Sequence, residues 1–483
     1  MSSSSTAVGA LYDSMLQSAL RQFFERATVD AEPACAIPRD TRLAIDPSAN
    51  PSALIISWFG TRYTLRVPGR WAFSAHEVRL AQAIGAVLAA RYHAIHNPRI
   101  IAERGDLFSG AIEDRYVGAF IDHRPYAIEA REARADQIAS IIELLRVAAL
   151  SSFESRPIST GILLLGTTDD QSRMPSRGSS PSYTDLAGIK SAYRLADGVR
   201  TVFLANSEGR LLDIVDINRW VRDACRTQPP NINPPSPASA PPSLRSGEAS
   251  ARLPRDVVEA GMACAEAFNP HARATTQHGN VCVVLSPSRE IKVFGEGSEL
   301  FTFRGGSWHL LDVQAKYRLW AEAVGHEALA MRIFQTSLDL ADAREGALFV
   351  VARDPEVAVA QLVAPPDRLE AAVPVVERAH DGSSSPSRRD LLRLIEGRSI
   401  TDLDATVFQA LASLDGAMMT DRTGRLLAAG AILRHPPLDE FPNSIIEGAR
   451  TTAAIAASRF GPVLKVSEDG VMTFFDGERV WDI

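Results

Sequence analysis

Asp415-Gly416-Ala417 follows an amphipathic helix and opens a strand through Met418 and Met419. A carboxylate at such an edge, beside a glycine that lets a ligand approach the backbone, is suited to hold a metal ion or a ribose hydroxyl. Farther on, Gly448-Ala449-Arg450-Thr451-Thr452 opens a helix that continues through Ala453 and Ala454. The first turn of a helix presents free N–H groups, and Arg450 with two hydroxyls adds donors for a phosphate. Val466-Ser467-Glu468-Asp469-Gly470 ends a strand at a hairpin turn. The same three segments also fit a bare turn, helix start and hairpin with no ligand. Other chemistries lack their residues. No Gly-Lys pair occurs, so there is no phosphate-binding P-loop, and neither H-E-x-x-H nor G-x-S-x-G is found. Gly295-Glu296-Gly297 falls in a hairpin and not at a strand-to-helix turn, and His93 and His96 lack a third metal ligand nearby.

The elements that must position these residues repeat. ISTGILLLGTTD (158–169) echoes AREGALFVVARD (343–354), and SEGRLLDIVDI (207–217) echoes RTGRLLAAGAI (422–432). RDVVEAGMACAEAF (255–268) echoes NSIIEGARTTAAIA (443–456), and the strand and hairpin of 281–312 echo those of 461–483. The shared order points to two copies of one domain, 130–312 and 318–483. A Pro/Ser tract at 227–253 is too poor in apolar residues to build a core and reads as an insertion in the first copy. It matches the loop RHPPLDEFPN (434–443) of the second. Further Ser/Pro loops occupy 168–183 and 379–389.

Ile138, Ile141, Ile142 and Leu145 share one helical face, as do Ala330, Ile333, Phe334 and Leu338. Each helix runs into a short apolar strand, Ile162–Leu165 or Ala347–Val351, of the kind buried on both sides. Leu403, Val407, Leu411 and Leu414 mark another helix, with Thr401-x-x-Asp404 as a candidate cap. The expected fold class is therefore α/β, two tandem domains each with a mixed sheet flanked by helices. Residues 1–129 read as a separate small α+β interaction module, a candidate route to protein partners. ALIISWFGTRYTLRV (53–67) makes a hairpin near Gly60-Thr61, and Ser74-Ala-His-Glu77 forms a capping box.

With these segments in order, residues 330–483 resemble the DisA-type diadenylate cyclase (DAC) domain, a family that condenses two ATP molecules into cyclic di-AMP. The matching stretches are Glu345-Gly-Ala-Leu-Phe-Val-Val, Asp415-Gly-Ala, Ala428-Ala-Gly, Gly448-x-Arg450-x-x-Ala-Ala and Val466-Ser-Glu-Asp-Gly. The resemblance points to Asp415, Gly416, Ala417, Arg450 and Glu468, and the reading of the helix start and hairpin adds Gly448, Thr451, Thr452 and Ser467 to the expected nucleotide site. It implies Asp415 and Glu468 at a Mg²⁺ or Mn²⁺ carried with ATP, and Asp415 as the catalytic group if the chain is active.

The departures point away from turnover. Where the family has Arg-His-Arg, this chain has Arg450-Thr451-Thr452. Losing two charge-assisted hydrogen bonds at about 1.5–3 kcal/mol each removes about 3–6 kcal/mol, or about 10²–10⁴ in rate. In the first copy Glu259-Ala-Gly-Met262-Ala-Cys264 replaces the phosphate motif and Ser286-Pro287 replaces Ser-Glu. Asp197-Gly198-Val199 resembles Asp-Gly-Ala, yet anchoring on Gly209-Arg-Leu-Leu sets Arg200 opposite Asp415. The expectation is a nucleotide sensor for an adenine nucleotide or cyclic dinucleotide, with an active cyclase and a ligand-free scaffold as the alternatives.

Composition bounds these readings. The 483 residues are 46% hydrophobic and 23% charged, which excludes a mainly disordered chain. A net charge of −7 argues against broad nucleic-acid binding. Only Lys190, Lys292, Lys316 and Lys465 are lysine; the other cations are arginine. No apolar run approaches the ~18–20 residues of a membrane span. The start, Met1-Ser-Ser-Ser-Ser-Thr, lacks a signal-peptide pattern, and Cys35, Cys225, Cys264 and Cys282 form no C-x-x-C pair. The chain reads as cytoplasmic.

Overall fold

The computed structural model describes residues 2–24, 27–33, 44–47, 52–67, 72–103, 108–122, 134–153, 156–166, 181–188, 190–226, 263–276, 278–369, 392–434 and 448–483. The Pro/Ser tract at 227–253, most of 168–183, and 379–389 lie outside these residues. The chain divides into two compact units, Met1–Arg131 with Gly305–Ile483, and Glu132–Arg304. Among the described residues no helix is long and apolar enough to cross a membrane.

The first unit begins with α1 (Ser2–Phe23) and the strands β1 (Thr28–Pro33), β2 (Ala44–Pro47), β3 (Ala53–Trp58) and β4 (Thr61–Arg66). They form an antiparallel sheet in the order β1-β4-β3-β2. The β3–β4 turn is Phe59-Gly60, both at positive φ (46° and 77°), which matches the twist of a tight hairpin. Then come α2 (Ala75–Ile95), α3 (Pro98–Glu103) and α4 (Ile112–Ile121). Ser74 and Glu77 make the expected capping box: Ser74 Oγ accepts from the Glu77 amide at 3.1 Å, and Glu77 Oε2 from the Ser74 amide at 3.0 Å.

The second unit carries α5 (Arg134–Ala149), the short β5 (Ser152–Phe153) and β6 (Arg156–Pro157), then β7 (Thr160–Leu164), β8 (Thr201–Ala205) and β9 (Leu211–Asp216). It continues through α6 (Ile217–Arg226), α7 (Asn269–Ala274), β10 (Val281–Leu285), β11 (Ile291–Gly295) and β12 (Ser298–Arg304). Its strands bond in the order β12-β11-β10-β7-β8-β9. Only β7 and β8 are parallel. Every side chain of β7 is buried, as a central strand covered on both faces requires. On one face Trp220, Val221, Phe268 and Ala272 pack over Leu163, Cys282 and Phe294.

The first unit resumes with β13 (Ser307–Leu310), α8 (Val313–Val324), α9 (Glu327–Ala343), β14 (Ala347–Ala352), α10 (Pro355–Leu362) and α11 (Ala405–Ala412). It ends with β15 (Ala417–Asp421), β16 (Leu426–Ala431), α12 (Ala449–Ala457), β17 (Val463–Val466), β18 (Met472–Asp476) and β19 (Glu478–Asp482). The sheet order is β16-β15-β14-β17-β18-β19, with only β14 and β15 parallel. This is the topology of the second unit strand for strand. Small details repeat with it. Asn206 and Asp421 each accept the amide four residues on, from Arg210 and Arg425. Ser182 and Ser399 each clip their turn to Arg210 and Arg425. The mixed α/β class expected from the sequence is the one found.

One local expectation shifts. The residue capping α11 is Asp404, whose carboxylate accepts from the Thr406 amide at 2.9 Å; Thr401 lies upstream in a 3-10 turn. Residues 255–262 of the 255–268 match lie outside the described residues; the described helix before β10 is Asn269–Ala274.

His271, on α7, is fully buried between Phe268 and Phe294, and its Nε2–H donates to the Gly198 carbonyl at 3.0 Å. Burial pushes its pKa down from 6.5 to about 4, against the Gly198 carbonyl and the Asp197 charge, which raise it. The folded state therefore prefers the neutral ring, and its stability is full above pH 6.5 and falls as pH drops toward about 4. The loss should reach about 3 kcal/mol, read by urea titration at stepped pH. In His271→Gln the slope across that window should flatten; an unchanged slope would assign the acid sensitivity elsewhere.

Candidate functional site

β14 has a parallel neighbour, β15, and an antiparallel one, β17. At its N-terminal end lie the start of β15 and the end of β17. The register makes this concrete: Phe349 faces Met418, and Ala347 faces Val466. Gly346, one residue before β14, is thus flanked by Asp415 on one side and the Ser467-Glu468 turn on the other. The Arg450 guanidinium lies over Gly346. A Cβ built there would stand 2.0 Å from Arg450 Nη1, so a side chain at 346 would evict the guanidinium. Arg450 Nη1 donates to Glu468 Oε1 at 2.8 Å, and Nη2 lies 4.0 Å from Asp415 Oδ1. Three residues from separate segments thus share one locus.

Local sequence explains each placement. Asp415 sits in the turn between α11 and β15. Gly416 has φ +111°, and a Cβ there would meet the Gly430 carbonyl carbon at 2.5 Å, so glycine alone fits. Ala417 is buried in β15. Glu468 projects from the β17–β18 turn, which the Ser467 amide closes onto the Val471 carbonyl at 2.9 Å. Arg450 is in the first turn of α12, whose N-terminal flank is Gly448 at φ +104°.

Thr451 and Thr452 have separate roles. The Thr452 hydroxyl donates back to the Gly448 carbonyl at 3.2 Å, a local helix bond. Thr451 is buried, and its Oγ1 accepts from Lys465 Nζ at 3.0 Å. Lys465 is in the centre of β17, 8% exposed. Sequence reasoning missed this buried cation, and also missed Gly346 as the space for Arg450. The signal for Lys465 was its rarity: a lysine inside an otherwise apolar strand, in a chain with only four.

Two carboxylates and a guanidinium converge beside the amides of a helix start, with the buried Lys465 ammonium behind Thr451. That combination suits an anion such as a phosphate. Among the described residues no group of three or more His, Cys, Asp or Glu is placed to hold a metal ion. Asp415 and Glu468 fit a hard cation only as a partial set, with phosphate oxygens and water completing it. Such an ion must also compete with Arg450.

The second unit lacks this site. The turns give the correspondence: Ser286 accepts from Arg289 and donates to Glu290 as Ser467 does with Gly470 and Val471. Ile162 faces Phe203 as Phe349 faces Met418. On that register Arg200 replaces Asp415, Pro287 replaces Glu468, Val284 replaces Lys465 and Ser159 replaces Gly346. Asp197 has other work. Its Oδ1 accepts the amides of Val199, Arg200 and Thr201 at 2.7–3.0 Å, and these bonds hold its pKa below the usual carboxylate value despite partial burial.

No family model matches the chain, and no curated protein does. Two solved structures show limited likeness. A hypothetical membrane spanning protein from Bacillus cereus is 20% identical over 35% of this chain and 70% of its own, at a TM-score of 0.24. A double mutant of DacA from Staphylococcus aureus is 23% identical over 32% of this chain and 85% of its own, at a TM-score of 0.19. At those scores neither decides fold or function.

Gly346→Ala should change stability by no more than about 1 kcal/mol, because the displaced atoms are the free end of a side chain. A crystal structure of that variant should show the Arg450–Glu468 contact broken; an undisturbed contact would show that the glycine does not make the space. Lys465→Met should leave stability unchanged or raised in urea unfolding, since a buried charge gives way to an apolar group of similar length.

Proposed function

We propose that the C-terminal domain, residues 318–483, binds a nucleotide and acts as a sensor without efficient turnover. Residues 330–483 are those that resemble the DAC domain. The observation that carries this reading is the Arg450 guanidinium resting over Gly346 and reaching both Glu468 and Asp415. A phosphate arriving at the start of α12 meets backbone amides and Arg450 together. The nucleoside end would lie toward Asp415 and Gly416, where a carboxylate and a bare backbone face a ribose. The resemblance to the DAC family supplies the ligand class, an adenine nucleotide or a cyclic dinucleotide, with Mg²⁺ or Mn²⁺ accompanying ATP.

Weak turnover follows from the charges. Arg450 is the sole cation of the Arg-Thr-Thr stretch, and it is partly neutralised by two carboxylates. Lys465 lies behind Thr451 and reaches the hydroxyl, so it polarises a donor instead of touching a transferred phosphate. Ground-state binding tolerates such an arrangement better than catalysis does, since rate depends on contacts that strengthen in the transition state.

Calorimetric titration of the full chain with ATP and with cyclic di-AMP, each with and without Mn²⁺, tests the reading. Saturable binding is expected, weakened about ten- to a hundredfold in Arg450→Met, the worth of one charge-assisted bond. No heat with any of these ligands would sink nucleotide binding and favour a scaffold. A specific observation also favours the cyclase reading: Lys465 returns one cation to the depleted phosphate motif. Incubation with ATP and Mn²⁺ separates the two. Cyclic di-AMP formed by the wild type and lost in Asp415→Asn would replace the sensor with an enzyme.

A further inference from the structure

The contact that holds Arg450 at the candidate site is not one the fold needs. The β17–β18 turn that carries Glu468 is closed by other groups. The Ser467 amide donates to the Val471 carbonyl at 2.9 Å, the Gly470 amide to the Ser467 carbonyl at 3.0 Å, and the Val471 amide to Asp469 Oδ1 at 3.2 Å. The second unit builds the same turn with Pro287 in the place of Glu468. There the Ser286 amide donates to the Glu290 carbonyl and the Arg289 amide to the Ser286 carbonyl, both at 2.9 Å. The turn therefore does not depend on the Glu468 side chain, whose carboxylate goes to Arg450.

That carboxylate takes what a phosphate would use. A guanidinium binds a phosphate best through two parallel N–H groups. Here Nη1 donates to Glu468 Oε1 at 2.8 Å, while Nη2 lies 4.0 Å from Asp415 Oδ1, beyond hydrogen-bond range. Glu468 is thus the group bonded to the guanidinium, and Asp415 adds charge beside it. The Arg450 side chain is 35% exposed and that of Glu468 72%, so the pair is open to water. Ion pairs this exposed are worth little, and the carboxylate returns to solvent at small cost. A phosphate that makes two charge-assisted bonds outcompetes a carboxylate that makes one.

We propose that Glu468 is an internal competitor for Arg450, a carboxylate that a nucleotide phosphate must displace, and that it thereby sets the ligand concentration at which the sensor responds. This rests on nucleotide binding at the same site, as proposed above. The bare backbone at Gly346 already gives the guanidinium a seat, so the carboxylate is not what places the arginine beside the helix start. What it does is occupy a donor. The ligand and Glu468 therefore exclude one another at Arg450, and each lowers the other's hold on it by the same factor.

The test is calorimetry of the full chain with ATP and with cyclic di-AMP, in EDTA so that no metal engages the carboxylates. Glu468→Ala should bind about two- to fivefold more tightly than the wild type, the worth of an exposed ion pair. Glu468→Asp keeps the charge but is one methylene short of Arg450, and it should gain nearly as much. An Asp variant that binds as the wild type does, beside a tighter Ala variant, would reveal charge repulsion alone and overturn the proposal. Weaker binding by Glu468→Ala would make Glu468 a positioning residue and overturn it too, as would equal binding by all three proteins. No heat from the wild type or either variant sinks nucleotide binding itself, and the proposal with it. Heat from the wild type without a gain in the variants sinks the competitor alone.

Discussion

A strand with one parallel and one antiparallel neighbour brings the start of one chain segment and the end of another to the same place. β14 is that strand, and the rest of the candidate site depends on it. Were β15 antiparallel to β14, Asp415 would lie at the far end of the sheet from Glu468. With β15 parallel and β17 antiparallel, both carboxylates flank Gly346, and α12 runs into β17 so that its first turn comes down on the same spot. The crossover that a parallel pair requires is supplied by α10, α11 and their connections. Topology sets the convergence; side chains only exploit it.

The second unit shows what topology does without those side chains. It keeps the sheet order, the Asn206 turn and the Ser182 clip, each matched bond for bond at Asp421 and Ser399. These are interactions that fold the domain. At the end of β7 the side chains differ: Arg200, Pro287, Val284 and Ser159 replace Asp415, Glu468, Lys465 and Gly346. A buried lysine is costly without a partner, and Lys465 is held by the Thr451 hydroxyl. In the second unit Val284 stands at the Lys465 position, so no ammonium there needs such a partner. A buried lysine of that unit, Lys292, belongs instead to the β11–β12 hairpin, where Glu299 holds it at 3.1 Å.

Much of this was legible in the sequence because it rests on local patterns. The apolar runs at 162–165 and 347–351 can only be central strands, and the Gly-Arg-Leu-Leu pair marks the same turn twice. The capping box at Ser74 needs only its own four residues. Asp415, Arg450 and Glu468 were singled out by type and by resemblance, and the structure brings them together. The misses are of a different kind. Gly346 was quoted within a matching stretch but given no role, because its role is the absence of a side chain beneath a residue over a hundred positions away. Lys465 looked like one cation in a strand; its meaning appears only when α12 lies on β17. Cross-strand register decided between Asp197 and Arg200, and register is a property of paired strands that no single strand encodes.

An open sheet edge must be finished somehow, since its unpaired amides and carbonyls attract any extended chain. The first unit covers β16 with its own residues 363–369, so that strand can be all apolar: Leu426, Leu427, Ala428 and Ala429 are each buried. In β9 the Leu211 amide donates to the Pro181 carbonyl at 2.8 Å, as the Leu426 amide does to the Arg398 carbonyl at 3.1 Å, so both units pin the start of the outer strand with chain that precedes it. Farther along β9, the sequence Leu-Leu-Asp-Ile-Val-Asp sets carboxylates into the strand, and Asp213 Oδ1 accepts from the neighbouring Ile214 amide. A carboxylate there keeps the amide occupied and repels like edges. The difference between the two units therefore extends beyond the candidate site to the outer strand, apolar in one and acidic in the other.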